Sequence, residues 1–218
     1  MEKQENRISV MGDIHGAYRA LIQCLEGSMF NYENDTLIQL VDVVDRNNDV
    51  FECVEELLKI KNLIAIRGNH DAWFHQFLET DYHPLSLNYG GLTTLESYLK
   101  HCQPNSKIIK SANGYKTSLN AQHIPESHKA FFKRQTLYHV DDENRCFVHA
   151  GFDLLNPFYV QNEENYYFDR SLWMDALKLK NQEYVSGQLT NFNQMLLDIR
   201  PQKGGTQFPQ CKHLKLQI

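Results

Sequence analysis

Three short segments place carboxylates, imidazoles and amides close together: Gly12-Asp13-Ile14-His15-Gly16, Asp42-Val43-Val44-Asp45-Arg46 and Arg67-Gly68-Asn69-His70-Asp71. A fourth, His149-Ala150-Gly151, adds another imidazole. Asp13, His15 and Asp42 offer two carboxylates and a ring nitrogen. Asn69 and His149 offer an amide oxygen and a second ring nitrogen. Mixed oxygen and nitrogen sets of this kind suit manganese, iron or zinc, and no thiolate takes part. In an extended Asp13-x-His15 pair both side chains fall on one side of the backbone, so both can reach one ion. A carboxylate between two ions ~3.5–4 Å apart could bridge them, and such a pair clamps both oxygens of an in-line phosphoryl displacement. Arg46 and Arg67 stand beside the cluster with forked donors that match phosphate oxygens. Taken singly, each segment has an ordinary structural use: a strand-to-loop turn, a surface ion pair, a helix cap or a buried core histidine. Their joint occurrence in this order is what is specific.

The elements that must carry these segments follow from hydrophobic spacing. Arg7–Met11 alternates as a short strand. Ala17–Leu25 places Leu21, Ile22 and Leu25 at helical spacing. Thr36–Val41 reads as a buried strand, Val50–Ile60 as a helix with Val50, Val54, Leu57 and Leu58 on one face, and Leu63–Ile66 as a third strand before a helix starting near Asp71. Strand and helix in alternation imply parallel strands with right-handed crossovers. Ligands bind at the carboxyl ends of such strands, where these segments fall. Beyond Asp81 the pattern is looser. Gly90–Lys100 and Glu126–Arg134 read as helices. Leu137–Val140 and Arg145–His149 read as strands around an Asp141–Asn144 turn. Asp169–Leu179 and Leu189–Leu197 are helical candidates, and Lys212–Ile218 alternates like an edge strand.

Composition narrows the function classes. The 218 residues suit one domain, residues 1–218, and 22 Lys and Arg against 27 Asp and Glu leave a charge of −5, which argues against an electrostatic grip on nucleic acid. No apolar run reaches the ~18–20 residues of a membrane helix, and the first residues have no apolar core of a signal peptide. The expectation is a soluble, cytoplasmic protein with no membrane partner. Cys24, Cys53, Cys102, Cys146 and Cys211 lack clamp spacing and read as reduced, mostly buried thiols. His75, His83, His101, His123, His128 and His139 share no ligand spacing. Trp73, Phe74 and Phe77, like Tyr166-Tyr167-Phe168, read first as packing.

The four segments together resemble the calcineurin-like metallophosphoesterases, and within them the phosphoprotein phosphatase family in its small bacterial and phage-type branch. That family reads GDxHG, GDxxDRG, RGNH[DE], HAG and GHTP, and the match runs from Ile8 to about Trp173. The resemblance implies an α/β fold in which a β-sandwich is flanked by helices with the metal site at strand carboxyl ends. It implies hydrolysis of phosphomonoesters by metal-activated water, with two divalent ions, manganese foremost and iron, zinc or magnesium as alternatives. Asp13 and His15 would hold the first metal, Asp42 would bridge, and Asn69 and His149 would hold the second. His70 aligns with the general acid and Asp45 with the carboxylate that orients it. Arg46 and Arg67 align with phosphate-binding arginines, and Arg170 is a weaker candidate. A phosphoprotein or a small phosphoester is the implied substrate, a serine/threonine phosphatase-like activity standing first. A dinucleoside polyphosphate hydrolase is one alternative, and a degenerate, weakly active member acting as a binding protein is another.

Three departures bear on that expectation. Val41 stands where the family has glycine, and Asn47-Asn48 replace another glycine. Leu196-Leu197-Asp198-Ile199-Arg200-Pro201 stands where GHTP is expected, so the stretch from about residue 187 is atypical. Codons for Ile-Gly-His-Thr-Pro, written ATT-GGA-CAT-ACG-CCC, give Leu-Asp-Ile-Arg when read in a shifted frame as TTG-GAC-ATA-CGC, and those are residues 197–200. The expectation is a frame-shifted or otherwise altered end, a weak second metal site and low phosphatase activity.

Overall fold

A computed structural model describes residues 7–40, 42–81, 89–111, 114–172, 174 and 194–197. The chain opens with strand β1 (Ile8–Met11), helix α1 (Tyr18–Gly27), strand β2 (Thr36–Leu40), helix α2 (Val50–Leu57), strand β3 (Asn62–Ile66) and helix α3 (Asn69–Thr80). The three strands lie side by side in chain order and all run parallel, with Ile8 opposite Thr36 and Thr36 opposite Asn62. Helix α2 illustrates why the crossovers are helical: Val50, Cys53, Val54 and Leu57 fall at i, i+3, i+4 and i+7, and all are buried. Next come α4 (Gly91–Cys102), a hairpin of β4 (Ile109–Ser111) and β5 (Gly114–Lys116), a 3₁₀ turn at Ala121–His123, and α5 (Glu126–Arg134).

A second sheet is built from β6 (Tyr138–Val140), β7 (Arg145–Val148) and, after α6 (Glu163–Phe168), β8 (Gln194–Leu197). Strands β6 and β7 are antiparallel. Their turn is closed by Asp141, whose Oδ1 accepts from the amides of Glu143 and Arg145, with Asn144 in the left-handed region (φ 57°). Strand β8 runs parallel to β7, Leu197 facing Val148.

The period-two alternation of strands sorts side chains into layers. From β2, Leu37 joins the large cluster formed with the helices, which includes Leu21, Leu57, Phe74, Leu95, Tyr98 and Phe132. Its neighbours Ile38 and Leu40 point the other way and meet Ile66 of β3 and Phe147 of β7. From β7, Cys146 and Val148 face away from that contact, toward Phe152, Tyr166 and Leu172. The two sheets therefore face each other across Phe147, with helices outside, which is the helix-flanked sandwich. A backbone stitch joins them: Arg67 N donates to Thr136 O (2.7 Å) and Thr136 N to Ala65 O (3.0 Å).

The structure corrects one expected element. Leu189–Leu197 reads as a helix by spacing, yet Gln194–Leu197 is strand β8, because a short run such as Met195-Leu196-Leu197 suits a sheet edge as readily as a helix face. The β4–β5 hairpin and α6 are additions. Val41, His83, Trp173, Cys211, His213, residues 198–201 and the Lys212–Ile218 segment lie outside the described residues, as does most of Asp169–Leu179. Among the described residues, Cys53, Cys102 and Cys146 are free thiols.

Candidate active site

The loops after β1 and β2 are sewn together before any functional side chain is placed. Ile14 N and His15 N both donate to Asp42 O, at 3.0 and 2.8 Å, and Gly16 N donates to Val43 O at 2.8 Å. To make that turn, His15 (φ 48°) and Gly16 (φ 65°) adopt left-handed backbone. A Cβ on Gly16 would lie 2.5 Å from Asn47 O, so glycine is required there both for its φ and for its bareness. Asp45 (φ 72°) and Arg46 (φ 71°) are left-handed as well, a conformation costing of order 1–3 kcal/mol for residues with a Cβ. The start of α4 holds them. Thr94 Oγ1 accepts from Asp45 N (2.8 Å), and Gly90 O accepts from Arg46 N (3.2 Å).

On this frame the five expected metal ligands converge. Val44 O lies 2.7 Å from His15 Nδ1 and can only accept, so Nδ1 carries the proton and Nε2 of the neutral ring carries a lone pair. That Nε2 is 3.2 Å from Asp13 Oδ2 and 3.8 Å from Asp42 Oδ2. Ligand-capable atoms of Asp13, Asp42 and His149 lie within 4.8 Å of one another, and so do those of His15, Asp42 and His70. Asp42 belongs to both groups, the position a bridging carboxylate would take. His149 Nε2 is 3.0 Å from Asn69 Oδ1, which brings the end of β7 to the start of α3. His15, Asp42 and His149 are each at most 3% exposed. Buried carboxylates facing the lone pair of the His15 ring, with the His149 ring close by, are a donor set that divalent cations suit.

One imidazole of these groups, that of His70, also rests on a carboxylate. His70 Nδ1 donates to Asp45 Oδ2 at 2.6 Å, and Thr94 Oγ1 donates to the other oxygen at 2.6 Å. Asp45 is thus fixed on both oxygens, and it fixes the His70 ring. Asp71 is a further organiser that its motif gives no role. Its Oδ1 accepts from Val43 N (2.9 Å) and Val44 N (3.2 Å), while Gln135 Nε2 donates to Oδ2 (2.5 Å). Complete burial pushes its carboxyl up to about 6, against the hydrogen bonds that favour the anion. Arg46 is exposed at the rim. Arg67 is turned toward the end of α5, where its Nη2 donates to Phe132 O (2.8 Å) and Gln135 O (3.4 Å), capping a helix C-terminus.

Residues 6–185 match the family described as calcineurin-like phosphoesterase. The serine/threonine-protein phosphatase 1 of Salmonella typhimurium is 35% identical over 69 residues, 32% of this chain and 32% of that protein. The symmetrical bis(5'-nucleosyl)-tetraphosphatase of Wigglesworthia glossinidia brevipalpis is 31% identical over 109 residues, 46% of this chain and 40% of that protein. These matches span less than half the length of the curated relatives. A solved structure described as a diadenosine tetraphosphatase shares the fold with a TM-score of 0.51 at 22% identity, covering 75% of this chain and 59% of the other. With a match over residues 6–185, by far the greater part of the chain, the protein belongs to the calcineurin-like phosphoesterase family.

Proposed function

We propose that the chain hydrolyses phosphomonoesters, serine/threonine phosphoproteins foremost, at two divalent cations held by Asp13, His15, Asp42, Asn69 and His149. The observation that carries this reading is Asp42 shared between two clusters of ligand-capable atoms, one of which includes His70, whose ring is held by Asp45. Bound ions, manganese in our reading, would supply Lewis acidity toward the phosphoryl oxygens and an activated water. The chain's own residues do the rest. Asp45 holds the His70 ring so that its second nitrogen can deliver a proton to the leaving oxygen. Arg46, exposed at the rim, supplies a guanidinium for the phosphate oxygens. Arg67 contributes there through the part of its fork not committed to the α5 carbonyls.

The test is hydrolysis of p-nitrophenyl phosphate with and without added manganese. Activity should depend on the metal, should fall in His70→Asn with metal content intact, and should vanish with the metal in Asp42→Asn. Metal loss in His70→Asn would make His70 a ligand. A second reading, hydrolysis of dinucleoside polyphosphates, is favoured by the longer match to the tetraphosphatase, and diadenosine tetraphosphate in the same assay decides it.

A further inference from the structure

Trp73 follows His70 by three residues on α3, and its ring lies 4.8 Å from the His70 ring. Two more rings gather on it from other parts of the chain. Tyr89, just before α4, is 6.2 Å away and tilted by 32°, and Phe168, the last residue of α6, is 6.5 Å away and tilted by 35°. These separations are within aromatic contact range, yet too long and too tilted for either ring to stack flat on the indole. Tyr89 is 72% exposed and Phe168 50%, so the cluster opens to solvent instead of closing a core. Tyr89 is also held in place: the next residue, Gly90, accepts a hydrogen bond from Arg46 N, and a Cβ on it would lie 3.0 Å from that same nitrogen. Adjacent exposed rings beside a catalytic group are a surface with a purpose other than packing.

We propose that Trp73, Tyr89 and Phe168 form a subsite for a planar aromatic leaving group, through which the chain takes aryl phosphoesters, a phosphotyrosine side chain among them, in addition to the alkyl esters of phosphoserine and phosphothreonine. The inference rests on the phosphoesterase reading and on His70 as proton donor to the leaving oxygen. In an aryl ester the ring is bonded directly to that oxygen, which places it one ring's width from His70, where the indole is. A serine leaving group offers only a methylene at that point. A nucleobase is separated from the leaving oxygen by a sugar and further phosphates, and so would pass beyond Trp73.

The experiment compares wild type, Trp73→Ala and Trp73→Phe on one peptide phosphorylated at either tyrosine or serine, with manganese present. Trp73→Ala should lower kcat/KM on the phosphotyrosine peptide about tenfold more than on the phosphoserine peptide, the scale of one ring-stacking contact, and Trp73→Phe should restore most of the difference. Equal losses on both peptides overturn the subsite. A greater loss on diadenosine tetraphosphate than on phosphotyrosine also overturns it, in favour of a nucleobase. Calorimetric binding of benzylphosphonate and propylphosphonate separates this inference from the reading beneath it, since no turnover is needed. If neither peptide is hydrolysed but wild type binds benzylphosphonate more tightly and Trp73→Ala erases the difference, the subsite stands and the phosphatase reading falls. Equal affinity for the two phosphonates overturns the subsite.

Discussion

Asp42 carries more of the site than any other residue, because its carboxylate lies in both ligand clusters while Oδ1 also accepts from His70 N at 3.1 Å. Asp42→Asn should therefore reduce bound manganese at both positions, whereas His149→Ala should reduce one, measured as metal per chain after equilibration with the ion. Equal losses in the two variants would remove the bridging role. Thr94 is the counterpart on the His70 side. Its hydroxyl accepts from Asp45 N and donates to Asp45 Oδ1, so Thr94→Val should unseat the carboxylate that orients His70. A hydrogen bond to a charged group is worth about 1.5–3 kcal/mol, so kcat should fall at least about tenfold with metal content unchanged. Metal loss alongside activity would assign Thr94 to the Asp42 loop instead. Neither Thr94 nor Gln135 was legible as part of the site, since the bonds they make to Asp45 and Asp71 span 49 and 64 residues of sequence. Asp13, His15, Asp42, Asn69 and His149 were legible as candidates because each sits within a few residues of the end of a short apolar strand, a local pattern. Arg67 reads as a phosphate ligand by type. Only the fold shows its Nη2 on the α5 carbonyls, a role that spacing does not encode.

At the scale of elements, the strand-end loops depend on backbone shape as much as on side chains. Gly16→Ala would force a Cβ to within 2.5 Å of Asn47 O at a φ of 65°. The strain and the overpacking together should cost about 2 kcal/mol or more in urea unfolding, and manganese affinity should fall with it because His15 is the preceding residue. Full stability in that variant would mean the loop re-forms without its left-handed turn. Helix α5 contributes a titrating element to the other side of the core. His128 Nε2 lies 2.7 Å from Glu55 Oε1, which can only accept as carboxylate, so Nε2 carries the proton and Tyr98 OH donates to Nδ1 at 2.8 Å. Phe51 packs on the ring (centroids 4.7 Å apart), and His101 stacks on Phe51 at 4.2 Å. Burial lowers the His128 pKa, and Glu55 opposes that shift only in part. A proton added at Nδ1 would displace the Tyr98 donor. Because the folded pKa lies below the unfolded value of about 6.5, the unfolded chain binds the proton more readily, so this group's contribution is lost as pH falls below about 6.5 and is constant above it. Urea unfolding of wild type should weaken between pH 7.5 and 5.5 more steeply than that of His128→Gln. Parallel slopes would show that His128 is not responsible. The helices α2, α3 and α5 were readable from spacing, while β8 was not, because its partner strand β7 lies far away in the chain.

For the whole molecule, the candidate ligands come from both sheets. Asp13, His15, Asp42 and Asn69 follow strands of the first sheet, and His149 follows β7 of the second. Besides the Phe147 contact and the backbone stitch at Thr136, an ion held by Asp42, Asn69 and His149 would tie the sheets together at their carboxyl ends. A ligand that binds only the folded state stabilises it by about 2.7 kcal/mol at a hundredfold excess over its dissociation constant. For a chain of this size that corresponds to about 5–10 °C in melting temperature. Manganese should therefore raise the melting temperature of wild type by that amount or more. His149→Ala should keep only the part of the rise that comes from the ion near Asp13, His15 and Asp42, and Asp42→Asn should keep almost none. The ordering separates a bridging metal centre from a local one. A first-sheet ion alone would leave the manganese shift of His149→Ala equal to that of wild type, and that result would sever the second sheet from the site.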